Sequence, residues 1–174
     1  MQTPKHTVLL LWPLTLLLGC QKVSLTPAAA SSFSCLVNGQ AWVPSGNNGT
    51  SNFQVTYEPD YSGGALQIKV YRYTGPGQGV LQGLTFGASN VTRAGVYTFP
   101  LRGPNGVSYA DFGAAAPRDY YSSQSGALIY QEGTLTLTQF DAQQRLVSGT
   151  FTFKLAKTSG DTLLITQGNF ETHF

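Results

Sequence analysis

Thr134-Leu135-Thr136-Leu137-Thr138-Gln139-Phe140 and Thr150-Phe151-Thr152-Phe153-Lys154-Leu155 decide the fold. In each run polar side chains alternate with Leu or Phe, in the first as far as Thr138. This is the period of two that turns one face of a β-strand to a core and the other to water. Asp141 to Arg145 supplies the turn between the runs, and Thr158-Ser159-Gly160-Asp161 leads into a third run, Thr162 to Phe170. The three make a meander with one apolar face. Phe170 falls out of phase with Leu163 and Ile165, which predicts a β-bulge at Gly168.

The same pattern extends toward the N-terminus. Phe33 to Val37 and Gln40 to Val43 flank Asn38-Gly39, a dipeptide suited to a two-residue hairpin turn that needs positive φ. A Gly and Asn loop, 45–52, precedes a strand from Phe53 to Tyr57. Leu66, Ile68 and Val70 alternate with Gln67, Lys69 and Tyr71, and Val80 to Phe86 is the antiparallel neighbour across Gly75-Pro76-Gly77. Val96 to Leu101 carries Pro100, which fits an edge or an end. Val107 to Phe112 and Tyr120 to Ser122 are shorter runs around an Ala and Pro loop. No amphipathic helix and no internal repeat is visible. The expectation is a single all-β domain, 33–174, folded as an antiparallel β-sandwich, with a closed or partly open β-barrel as the alternative.

Composition agrees. The chain has 174 residues, among them 20 Gly, 9 Tyr and 10 Phe, and only 10% are charged. Lys5 precedes Cys20, which leaves nine of the ten Lys and Arg to balance the eight Asp and Glu beyond it. No basic stripe offers a nucleic-acid surface.

The N-terminus carries an address. Lys5 and His6 precede an apolar run, Val8 to Leu18, too short to span a bilayer, where about 20 residues are needed. It ends in Leu17-Leu18-Gly19-Cys20, which resembles the lipobox of bacterial lipoproteins. That resemblance implies cleavage after Gly19 and a diacylglycerol thioether on Cys20, with an acyl chain such as palmitate on the new amine. Two or more chains anchor a domain stably where one does not. Residues 1–19 then form the signal peptide and 20–32 a flexible tether rich in Ala, Ser and Pro. Gln21 stands where an aspartate retains many lipoproteins in the inner membrane, which points to the outer membrane and a periplasm-facing domain. With Cys20 lipidated, Cys35 has no disulfide partner in the chain, and its apolar setting suggests a buried thiol.

Candidate chemistry is sparse. His173 is the one histidine beyond Cys20, a poor base for a Ser, His and acid triad at the chain terminus, and zinc lacks ligands. Glu58 and Asp60 flank Pro59 in a turn. Asp111, Asp119, Glu132, Asp141 and Asp161 stand mostly at strand ends or turns without EF-hand spacing. Gly75-Pro76-Gly77-Gln78-Gly79 lacks the lysine and helix of a phosphate loop. The tyrosines are the main candidates. Tyr71 and Tyr73 share the face opposite Leu66, Ile68 and Val70, where exposed rings stack on sugars or contact proteins, unless they are structural cross-strand pairs. Trp42 reads as a core plug.

Phe33 to Trp42, Gly133 to Asp141, Ser148 to Phe153 and Ile165 to Phe170 resemble, in order, landmarks of small Bacteroidota lipoproteins whose domain has no known function. The resemblance implies a lipid-anchored β-rich domain and offers no catalytic residues. The expected role is therefore a non-enzymatic outer-membrane binding module for envelope carbohydrate or protein. It would use no cofactor beyond the covalent lipid, and nucleic acid is not an expected partner. The alternatives are an accessory subunit of an envelope complex and a hydrolase built on two carboxylates.

Overall fold

Runs that bury every second side chain need a second layer to bury them against, and here two sheets supply it to each other. A computed structural model describes residues 31–75, 79–113, 118–120 and 128–174. Among them are eleven strands and no helix. These are β1 (Ser32–Val37), β2 (Gln40–Trp42), β3 (Phe53–Glu58), β4 (Ala65–Tyr73), β5 (Val80–Ala88), β6 (Gly95–Thr98), β7 (Gly106–Asp111), β8 (Arg118–Tyr120), β9 (Leu128–Asp141), β10 (Leu146–Lys157) and β11 (Thr162–His173). One sheet has the order β2-β1-β11-β10-β9-β6 and the other β3-β4-β5-β7-β8. All strand pairs are antiparallel, and each sheet keeps two edges. The architecture is therefore a β-sandwich, as expected, and not the closed barrel.

The core lies between the sheets. Ile68, Val70, Leu84 and Phe86 from the five-stranded sheet meet Leu135, Val147, Phe151, Phe153, Leu155 and Ile165 from the other. Phe86 sits 4.7 Å from Phe151 and 5.2 Å from Phe153, ring centre to ring centre, at tilted angles that suit aromatic quadrupoles. Tyr57, Phe140 and Phe174 pack against this core as a partly buried aromatic cluster, with Phe140 and Phe174 stacked at 5.9 Å.

The meander is β9-β10-β11, and β9 begins at Leu128, six residues before the run read from its alternation. Asn38 and Gly39 adopt φ of 49° and 79° as the two-residue turn requires. The Asn38 side chain also accepts a 2.8 Å hydrogen bond from the Leu164 amide, which ties the hairpin to β11. The bulge in β11 is present, but its positive φ, 52°, belongs to Gln167 and not to Gly168. Gly168 is required for another reason: a Cβ there would strike the Phe151 ring.

Ser32 opens β1, one residue before the expected domain start, and the Ser31 hydroxyl lies 2.7 Å from that of Thr172. The end of the expected tether is thus fastened to β11. Gly19, Cys20 and the rest of the expected signal and tether up to residue 30 lie outside the described residues, as do Pro76 and Gly77 of the expected β4–β5 connection.

Candidate functional site

Three core-facing runs of the five-stranded sheet each end in a polar residue. Leu66, Ile68 and Val70 are followed in phase by Arg72, Leu84 and Phe86 are preceded by Gln82, and Val107 and Tyr109 are followed by Asp111. The strand register aligns these positions, Arg72 opposite Gln82 and Gln82 opposite Asp111. A row of cation, amide and carboxylate therefore crosses the end of the sandwich where one more layer of core would otherwise lie.

Across from this row, the opening hairpin brings in Trp42. Its indole N–H donates to Gln82 Oε1 at 2.9 Å, joining the two sheets. The Arg72 guanidinium lies over the Trp42 ring, 5.0 Å from its centre. Arg72 Nε donates to the Val43 carbonyl at 2.8 Å, Nη2 to the Ala41 carbonyl at 3.3 Å and Nη1 to Gln82 Oε1 at 3.4 Å. With its oxygen occupied, Gln82 turns its amide nitrogen to Asp111 Oδ2 at 3.0 Å, and Asp111 Oδ1 accepts from the Gly113 amide at 3.0 Å. Together with Val37, Tyr109, Tyr120 and Leu163, these groups line a crevice of about 220 Å³. Lys157 closes over the Tyr120 ring at 4.7 Å. An apolar and aromatic wall with a few convergent polar groups is the general form of a small-ligand site.

Arg72 is felt beyond the crevice. Burial pushes the Cys35 thiol up to about 12, and the Arg72 charge opposes that rise. Cys35 is buried on β1, paired with Trp42 of β2, and stays protonated at neutral pH.

A wider hollow, about 470 Å³, lies on the outer face of the six-stranded sheet and is lined by Thr98, Thr134, Thr152 and Thr166. Its charged residues, Glu132 and Lys154, stand directly opposite one another across β9 and β10. The Lys154 ammonium lies 5.5 Å over the Tyr130 ring, and the rest of the hollow is lined by apolar residues such as Phe99, Pro100 and Leu164.

Tyr71 and Tyr73 do occupy neighbouring positions, with ring centres 5.8 Å apart and planes tilted at 40°. Tyr71 is half-buried and Tyr73 only 7% exposed. The backbone at Gly46 lies against Tyr73, and Ser45 bridges Arg72. The pair is thus not a flat exposed platform. Burial, the Tyr73 phenol and a hydrogen bond with Thr85 act on the Tyr71 hydroxyl, and the first two prevail and raise its pKa. Trp42, read from sequence as a core plug, is 2% exposed and also forms the crevice wall. Of the acids weighed from sequence, Asp111 alone lines the crevice among the described residues. Asp119 pairs with Ala110, one position out of phase with Asp111, and so belongs to the opposite face of the sheet. Glu58 and Asp60 are exposed at a turn, and His173 is exposed at the end of β11. Among the described residues no group of three or more His, Cys, Asp or Glu is placed to hold a metal ion.

Arg72 and Gln82 escaped sequence reasoning, although a signal existed. Each occupies the next inward step of an apolar alternation, where a charge or amide is unexpected.

Residues 76–172 match the model of a family described as a domain of unknown function, DUF6252. The chain belongs to this family. The DUF6252 match covers β5 to nearly the end of β11, including Gln82, Tyr109, Asp111 and Tyr120, while Trp42 and Arg72 lie ahead of it. Comparison with curated proteins gives no match, and comparison with solved structures gives none either.

Proposed function

We propose that this DUF6252 chain is an outer-membrane lipoprotein of the Bacteroidota type, tethered through lipid on Cys20, and that its sandwich is a non-enzymatic module binding an envelope carbohydrate in the Trp42 crevice. The observation that carries the reading is the Arg72-Gln82-Asp111 row facing an aromatic wall. Hydroxyl-rich ligands are held by planar polar groups beside aromatic rings, and this crevice supplies both. A lone carboxylate suits binding better than glycoside hydrolysis, which works with a pair. The absence of aspartate after Cys20 supports the outer membrane and a periplasm-facing domain.

Thermal unfolding of the full chain in the presence of envelope glycans tests the reading. A ligand at about 100 times its dissociation constant adds about 2.7 kcal/mol, enough to move the midpoint by several degrees. A shift lost in Asp111→Ala is expected. A shift with extracted membrane proteins and none with any glycan overturns the carbohydrate reading in favour of an accessory subunit. Lipidation is tested separately: Cys20→Ser should abolish incorporation of labelled palmitate and release the chain from the membrane fraction.

A further inference from the structure

We infer that the sugar taken by the crevice is an acidic one, a hexuronic acid residue whose carboxylate is received by Arg72 and whose hydroxyls are received by Asp111. This rests on the carbohydrate reading above and specifies its ligand.

Arg72 is a half-buried cation whose acceptors are all neutral: two backbone carbonyls and one amide oxygen. Among the described residues no carboxylate forms an ion pair with it. Asp111 belongs to the same row but is held at the far side of the Gln82 amide, whose oxygen faces Arg72 and whose nitrogen faces Asp111. The Arg72 and Asp111 charges thus stand on opposite sides of the Gln82 amide, and Lys157 lies over the Tyr120 ring of the same crevice. A partly desolvated guanidinium without a counter-charge is costly unless a ligand supplies one.

Its geometry suits a carboxylate. Stacking on Trp42 and the bonds to Val43 and Ala41 hold the guanidinium plane in place, and three of its five N–H groups are used, leaving two. A fixed planar fork is the preferred partner of a planar carboxylate. Asp111 accepts two hydrogen bonds, and a carboxylate has about four lone-pair sites, so it retains capacity for ligand hydroxyls. Size limits the ligand further. Sites for drug-sized molecules run from about 300 Å³ upward. A crevice of about 220 Å³ accommodates one ring and not a stretch of polysaccharide.

Calorimetric titration of the full chain with D-glucuronate and D-galacturonate, against D-glucose, D-galactose and glucose 6-phosphate, tests this. The expected result is a preference of at least about tenfold for each uronate over its parent hexose, equivalent to about 1.4 kcal/mol. Arg72→Gln should reduce the preference to near unity, Arg72→Lys should leave an intermediate one, and Lys154→Gln on the outer face should leave it intact. The wild-type preference is itself decisive if Arg72→Gln does not fold. Equal binding of hexoses and uronates overturns the acidic-sugar inference while the carbohydrate reading stands. Tighter binding of glucose 6-phosphate than of glucuronate overturns it in favour of a phosphate. No binding by any of these sugars removes the single-ring site and the acidic-sugar inference together, and the glycan screen then decides the broader reading.

Discussion

A methyl group at Gly133 would strike the Thr152 carbonyl oxygen and the Phe153 ring. The strand pairing on that side is backbone against backbone and cannot yield. Gly133→Ala should therefore lose about 1–3 kcal/mol, the usual cost of overpacking, measurable by denaturant unfolding. Gln131, two residues earlier, is buried, and its amide nitrogen donates to the carbonyls of Pro100 at 3.1 Å and Asn105 at 3.2 Å. Gln131→Leu should lower stability by roughly 1–3 kcal/mol per acceptor left without a donor, seen as a drop in the denaturant midpoint. Cys35 gives a pH dependence. Unfolded, its thiol ionises at about 8.5; folded, it is pushed up to about 12. Above the unfolded value the unfolded chain binds fewer protons, so stability falls from there toward about pH 12. The raised Tyr71 phenol acts in the same direction at higher pH. Cys35→Ala should flatten the early part of this decline in unfolding measured at successive pH values.

Among the elements, β11 shows how a phase error in sequence becomes geometry. Leu163 and Ile165 point inward, and so do Gly168 and Phe170, which needs one extra residue between them. Gln167 absorbs it in the left-handed region at φ 52°, where a side chain costs about 1–2 kcal/mol. Gln167→Gly relieves that strain but adds about 0.5–1 kcal/mol of unfolded-state entropy. Denaturant midpoints should rank Gly above Gln, and Gln above Val, since β-branched residues resist positive φ most. The alternation of β9, β10 and β11 and the Asn38-Gly39 turn were legible because their signals are local. The positive φ at Gln167 was not: Gly168 looked like the bulge residue because glycine is the residue expected at positive φ, whereas its need for space is set by Phe151 on another strand.

For the whole molecule, β1 pairing with β11 brings the two ends of the domain into one sheet, and Trp42 then spans from that sheet to Gln82 in the other. Once the expected cleavage removes Trp12, Trp42 is the only tryptophan, and at 2% exposure its fluorescence should be blue-shifted. It should also change when a ligand enters the crevice, a titration readable without any label. The sequence by itself determined the all-β fold class, the meander and the opening hairpin, because period and turn chemistry are written in neighbouring residues. Tertiary structure alone decided the sandwich over the barrel and assembled Arg72, Gln82, Asp111 and Trp42. Those residues come from four strands in two sheets, and their meeting depends on inter-strand register and sheet stacking, which no local pattern encodes.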